Sequence, residues 1–279
     1  MRKASTGTFT ILIALLALVL AACGDVTVNG AYPAVDYSST WWWSDSKDVV
    51  VSKTLNLDEP VEEGQRLRVD GINGSIVIVG QQGTDTVRMT ADMLVGSDTW
   101  LDAEEGLDEL GITFTNLLSE IHIQTHQPYT DDGRQYVVDY IIQVPSDMEV
   151  LVTQTNGHVA IDGIESPIQV AGVSGNIQLV DVSGGIQADL TNGDIEVTAM
   201  LPPGGQIVLS TVNGDVDLRV PTLTSATLEA ATGNGNVHWH NLILLDVDAT
   251  AWSLTGTLGG GDGFIDLETV NGNIGVTGF

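Results

Sequence analysis

The sequence predicts an all-β solenoid, and three observations carry that expectation. A unit of Asn-Gly or Ser-Gly followed by alternating polar and apolar residues recurs through the C-terminal half. The turn glycines of successive units lie 18 residues apart from Gly157 to Gly175 to Gly193, then 21 apart to Gly214 and Gly235. The second and fourth residues after each glycine are almost always Ile, Val or Leu. In a strand these two positions point to the same side, so they form the buried column of a stack of coils, and the first and third point outward. One coil cannot bury its apolar side alone; stacking creates the core. A period of 18 to 21 residues is too short for a propeller blade and lacks a helical pattern. It suits a single-stranded β-helix whose rungs hold two or three short strands. An alternative is a sandwich in which each Asn-Gly is a hairpin turn.

Taken in chain order, the first element is not part of the fold. Met1-Arg2-Lys3 is a short positive start, Phe9 to Leu20 is an apolar run, and Leu20-Ala21-Ala22-Cys23 follows. This is the layout of a signal peptide over residues 1–22. The cysteine directly after Leu-Ala-Ala resembles the lipobox of bacterial lipoproteins, which implies that Cys23 carries lipid and begins the mature chain. Cys23 is the only cysteine, so no disulfide framework competes for it. Residues 23–48 read as a tether rich in Asn, Gly, Pro and Ser, interrupted by Trp41-Trp42-Trp43. That cluster has three readings: a cap on the open end of the solenoid, a foothold at a membrane interface, or a platform for a partner or sugar.

Residues 49–279 read as one solenoid domain. Val49 to Val51, Arg66 to Val69 and Ile76 to Val79 alternate as strands between Gly, Asn and Asp. Ser97 to Leu110 is the one segment with helical character, with a Ser or Asp cap, acids in its first turns, and Trp100, Leu101, Leu107 and Leu110 as its apolar set. Strand patterns resume at Ile112 and lead into the repeats from Gln154 onward. Asn73-Gly74-Ser75-Ile76-Val77-Ile78 is an early outlying copy, and Asn271-Gly272-Asn273-Ile274-Gly275-Val276 is the last.

Charge excludes several function classes. Without residues 1–22, seven basic residues face 37 acidic ones, a formal charge near −30. Nucleic acid needs clustered Lys and Arg, and anionic lipid or acidic polysaccharide would be repelled. Solubility outside the cell, cation condensation and a neutral or cationic partner remain.

The sharpest candidate chemistry is an acidic ladder. If Gly193, Gly214 and Gly235 stack, then Asp194 and Glu196, Asp215 and Asp217, and Asn236 and His238 face outward on successive rungs. Neighbouring strands lie ~4.8 Å apart, and carboxylates that close repel unless a hard cation sits among them. The alternative is a solvated acidic face. Gly259 to Leu267 has the look of a calcium nonapeptide, but Asp266 falls one place late and the motif stands alone. His122 and His126 lie on a strand pattern, where their spacing of ~13 Å prevents chelation. His238 and His240 flank Trp239 on one strand face. The sequence holds no nucleophile elbow, phosphate loop or zincin helix, and no cofactor is expected. A paired-carboxylate mechanism drawn on Asp215 and Asp217 lacks the environment that separates an acid from a base.

Tyr140-Ile141-Ile142-Gln143-Val144-Pro145, the step from Val150 through Thr155 into Asn156-Gly157, and the repeated Asn-Gly-Asp-Ile or Asn-Gly-Asp-Val units resemble a family of bacterial adhesin-type domains related to the head-GIN type. The resemblance spans roughly residues 49–279. It implies a β-helical surface or envelope protein, with no catalytic residues to carry over. The expectation is a lipid-anchored, non-enzymatic adhesin-like binding or scaffold module of the cell envelope, with a protein or glycan ligand. The alternatives are a carbohydrate-active enzyme on the same scaffold and a divalent-cation-dependent envelope or signalling module.

Overall fold

A computed structural model describes residues 47–128 and 133–279. In chain order, its first part contains β1 (Val49–Pro60), β2 (Arg66–Asn73), β3 (Ile76–Gln81), β4 (Thr86–Ser97), α1 (Trp100–Glu109), β5 (Gly111–Leu117), β6 (Glu120–His126) and β7 (Gln135–Pro145). The repetitive part supplies β8 (Val150–Asn156), β9 (Val159–Asp162), β10 (Ile168–Ser174), β11 (Ile177–Val182), β12 (Ile186–Asn192), β13 (Ile195–Ala199), β14 (Gln206–Asn213) and β15 (Val216–Val220). Then come β16 (Ala226–Asn234), β17 (Val237–His240), β18 (Leu244–Ala249), β19 (Ser253–Leu258), β20 (Gly263–Asn271) and β21 (Ile274–Gly278).

Each coil is one strand of an eleven-stranded sheet, an Asn-Gly or Ser-Gly corner, and one strand of a ten-stranded sheet facing it. The rung therefore holds two strands. Coils stack in parallel and in register, so Ile177 lies on Ile195 and Leu179 on Val197. The expected inward columns form the core: Ile76, Val159, Ile177, Ile195, Val216 and Ile274, with Ile78, Ile161, Leu179, Val197, Leu218 and Val276, are all buried. Full burial of each such side chain is worth about 1.5–3 kcal/mol.

The corner glycines are needed for more than turn geometry. A Cβ on Gly193 would lie 1.7 Å from the carbonyl oxygen of Gly175, and one on Gly214 would lie 1.9 Å from that of Gly193. The coils approach at the corner closely enough that only a hydrogen fits. The same proximities give the stacking order of the corners as Gly74, Gly157, Gly175, Gly193, Gly214, Gly272, Gly235.

That order departs from the expectation. Gly235 does not follow Gly214; the coil of β20 and β21 sits between them, because β14 pairs with β20 and β20 with β16. At the other end, the outlying copy of β2 and β3 lies between the coil of β6 and β7 and the coil of β8 and β9. The physical reason is that the coils from Gly74 to Gly272 present the same glycine corner, Asn-Gly in all but the Ser174-Gly175 copy, and the same apolar columns. Any coil fits on any other, and connections decide which ones meet.

Each end is finished by antiparallel strands. At the proximal end β4 and β1 extend one sheet beyond β7, and β5 extends the other beyond β6. Helix α1 is where the sequence places it, capped by Thr99, whose hydroxyl accepts the Asp102 N–H. Gly106 is the helix's point of closest approach to the sheet, since a Cβ there would meet Val95 and the Arg134 stem. At the distal end the hairpin of β19 and β18 extends the sheet of β16, and β17 is left as the outer strand of the other.

Candidate binding surfaces

Two side-chain ladders run up the corner edge of the stack. Asn156 Nδ2 donates to Asn73 Oδ1 at 2.8 Å, Asn213 to Asn192 at 2.9 Å, Asn271 to Asn213 at 2.8 Å, and Asn234 to Asn271 at 2.8 Å. Inside the corner, the buried hydroxyls of Thr211, Thr269 and Thr232 donate to the glycine carbonyls of Gly193, Gly214 and Gly272. The asparagines thus bind coil to coil, which the sequence reading, with its attention on positive φ, did not anticipate.

The second ladder takes up half of the acidic one. Asp194 Oδ1 accepts the Asp215 backbone N–H at 2.9 Å, and Asp215 Oδ1 accepts that of Asn273 at 2.6 Å. Asn176 Oδ1 and Asn273 Oδ1 play the same part for Asp194 and Asn236. Asp194 and Asp215 therefore hold the backbone of the neighbouring coil, as asparagine does elsewhere in the column.

Glu196 and Asp217 do lie side by side, in direct register on β13 and β15. The next rung is Gly275, with His238 beyond it. Because Gly275 has no side chain, Asp217 and His238 lean into the vacant position from both sides. A Cβ there would lie 2.3 Å from Asp217 Oδ1 and 3.0 Å from His238 Nε2. Burial, and then the Glu196 charge, push the Asp217 carboxyl above its ordinary value, with His238 opposing. Among the described residues no three His, Cys, Asp or Glu side chains are arranged to hold a metal ion.

The remaining candidates fall in separate places. His122, on β6, pairs its Nε2 with Asp70 Oδ2 at 2.8 Å, and Arg68 bonds the same carboxylate. Burial raises the Asp70 pKa, but the hydrogen bonds from His122 and Arg68 outweigh it and the net shift is downward. The glycine-rich segment is the turn from β19 into β20, where Ser225 Oγ donates to Asp262 and accepts the Gly260 N–H. Cys23 and Trp41 to Trp43 lie outside the described residues.

The sequence reading missed the distal end. Trp239 occupies an inward column position, yet it is partly exposed because no coil covers it. On the distal hairpin and its approach, Ile243 is 82% exposed and Trp252 61%, with Leu245 and Val247 also open to solvent. The signal was present: from Leu242 to Val247 the chain keeps large apolar residues but loses the Asn-Gly pattern that would pair them with a neighbour. Asp246 and Asp248 sit among them, and no Lys or Arg follows Arg219.

Two facing sheets of mostly parallel strands wound as coils, with a shared asparagine corner, define a β-solenoid. The chain matches the Toastrack DUF4097 family over residues 119–277 and belongs to that family. No curated protein matches it. Among solved structures it is similar to a provisionally described cell adhesion protein of Clostridium sporogenes, at 13% identity over 81% of this chain and 100% of that one, with a TM-score of 0.46. It is also similar to a provisionally described lipid binding protein of Parabacteroides distasonis, at 10% identity over 82% and 96% of the two chains, TM-score 0.35. A third, provisionally described as an adhesin of Bacteroides fragilis, shares 11% identity over 81% and 97%, TM-score 0.30.

Proposed function

We propose that the chain is a lipid-anchored, non-enzymatic binding module of the cell envelope that engages a protein or glycan ligand through its distal end. The observation that carries this reading is the exposure of Trp239, Ile243, Leu245, Val247 and Trp252 at the end of the stack remote from β1. Isolated exposed apolar residues are ordinary, but a group at one end of a soluble acidic protein is an interaction feature. The outward ladders are less available, because their side chains bond to neighbouring coils.

The geometry also gives the module a direction. Lys47 lies at the proximal end, where its ammonium meets Asp98 at 3.0 Å. The nine steps between the ten strands of one sheet place the apolar end ~43 Å from there. The test is attachment of beads carrying the full chain to purified glycans and envelope proteins. Ile243→Asp with Trp252→Ser is expected to abolish attachment at unchanged melting temperature. Attachment that survives the double substitution overturns the distal site, and turnover of a polysaccharide by the purified chain overturns the non-enzymatic reading.

A further inference from the structure

The distal end leaves two strand edges of different character. The outer strand of the eleven-stranded sheet is β18, and that of the ten-stranded sheet is β17. Strand β18 is blunted against further pairing: its register with β19 slips between Leu245 and Asp248, and Asp246 stands there at φ +52°. A bulge and charged residues are how proteins protect an edge strand. Strand β17 carries no Lys, Pro or bulge, and it stays in regular parallel register with β21 from Val237 to His240. Ile274 N–H donates to Asn236 O, so the backbone groups of His238 and His240 point to β21 and those of Val237 and Trp239 point the other way. Ala251 O takes the Val237 N–H at 2.9 Å. Among the described residues no strand lies beyond Trp239, whose N–H and C=O face the place where the next rung would stand.

We propose that β17 accepts an extended, basic and apolar peptide segment of a partner protein as an added strand, which continues the ten-stranded sheet by one rung. The proposal rests on the distal end being the binding surface and names what binds there. Bonds to the Trp239 N–H and C=O hold the segment, and its inward side chains lie on the partly exposed indole. Strand addition draws affinity from the main chain and specificity from alternate side chains. Charge selects the partner's chemistry. None of the nine Lys and Arg residues follows Arg219, and Asp246 and Asp248 stand on the outer strand of the facing sheet. Lys or Arg in the segment is therefore attracted, and acid is repelled. A second copy is a poorer occupant. Its distal end repeats the same acids, and its proximal end presents α1 with Asp102, Glu104, Glu105, Asp108 and Glu109. With four residues in β17, only a short segment is engaged, which suits reversible attachment.

Amide hydrogen exchange of the full chain, carried as Cys23→Ser and read by nuclear magnetic resonance, tests strand addition. The probe is a pool of short amidated peptides with Val, Ile or Leu at alternate positions and Lys or Arg between them. Saturation with this pool is expected to slow exchange at the Trp239 amide severalfold while Ile168 and Val170 of β10 stay unchanged. A matching pool with Asp and Glu in place of Lys and Arg is expected to bind severalfold more weakly. Trp239→Val keeps the edge N–H and retains binding of the basic pool, whereas Trp239→Pro removes that N–H and the binding with it. Equal binding by the two variants overturns the proposal. So does binding of the basic pool that leaves the Trp239 amide unprotected, or equal binding of the two pools. If neither pool binds while bead attachment still depends on Ile243 and Trp252, strand addition fails and the distal reading stands. Attachment that survives the loss of those two side chains ends the distal reading, on which the proposal rests.

Discussion

Replacing Gly193 by Ala tests whether coil contact at the corner, and not turn geometry alone, demands glycine. Gly193 has φ +133°, and its Cβ would sit 1.7 Å from the Gly175 carbonyl oxygen, a backbone atom that cannot rotate away. Relief requires the coils to separate by more than an ångström. That breaks or stretches the Gly175 N–H bond to Asn192 O at 3.0 Å and the Ile177 N–H bond to Asp194 O at 2.9 Å. Two backbone bonds at about 1 kcal/mol each, added to about 1–2 kcal/mol for the positive φ, give a loss of about 3–4 kcal/mol. Two other glycines separate the causes. Gly204 has φ +72° with open space around it, so Gly204→Ala isolates the backbone cost of about 1–2 kcal/mol. Gly185 has open space and no positive φ, so Gly185→Ala is neutral or stabilising by up to about 1 kcal/mol. Urea titration of the three variants, followed by far-ultraviolet dichroism, reads the differences directly. A Gly193→Ala no worse than Gly204→Ala refutes the close-approach argument.

Other outcomes follow from the same geometry. Ser174 interrupts the asparagine ladder between Asn156 and Asn192, so Ser174→Asn is expected to complete it and raise the melting temperature by a few degrees, equivalent to about 1 kcal/mol; no rise means that the ladder follows from stacking and does not strengthen it. Burial and Glu196 hold the Asp217 pKa above its unfolded value, so the folded state favours the proton, and ionisation costs stability at neutral pH. That cost fades as pH falls through the raised pKa towards the unfolded one. Asp217→Asn is therefore expected to melt higher than the parent at pH 7 and level with it near pH 3, as scanning calorimetry would show. Asp70 has the opposite sign, its stabilisation present above the ordinary carboxylate range and lost in acid through the lowered pKa. Cys23→Ala is expected to abolish fatty-acid labelling and release the chain from the membrane fraction; retained labelling would refute the lipid anchor.

The coil unit was readable because it is written in short-range pattern. Ile195 and Val197 after Gly193 declare an inward column by alternation alone, and both are buried. Coil order was not readable, since the equal 21-residue steps to Gly214 and Gly235 look continuous while a coil from 37 residues further along separates them. Spacing reports the length of a coil, not its neighbour. The acidic ladder shows the same limit. Asp194 and Asp215 were correctly placed on adjacent rungs, but whether a side chain binds a ligand or the next backbone depends on a carboxylate reaching an N–H, and alternation does not encode that. The break in pattern from Leu242 to Val247 stands in the sequence without a reading attached to it, and it marks a surface that no further coil covers.

Insertion of both outlying coils changes what the ends of the chain do for stability. In a sequential solenoid the last coil has one neighbour and frays first, and its removal costs a single interface. Here the coil of β20 and β21 contacts β14 and β15 on one side and β16 and β17 on the other. Truncation before Gly263 removes two interfaces and leaves the coil of β16 and β17, with its hairpin, attached to the stack only through the 221–225 link. Re-docking onto β14 is opposed by the connection, because residues 241–262 are folded to bring the following strand back between the two coils. Hydrogen exchange is expected to show Leu228 and Ala230 of β16 losing protection together with Ile207 and Leu209 of β14, while Ile168 and Val170 of β10 keep theirs. Deprotection confined to β14, with β16 to β19 still protected, would mean that the distal coil closes the gap itself and that the insertion contributes no clamp.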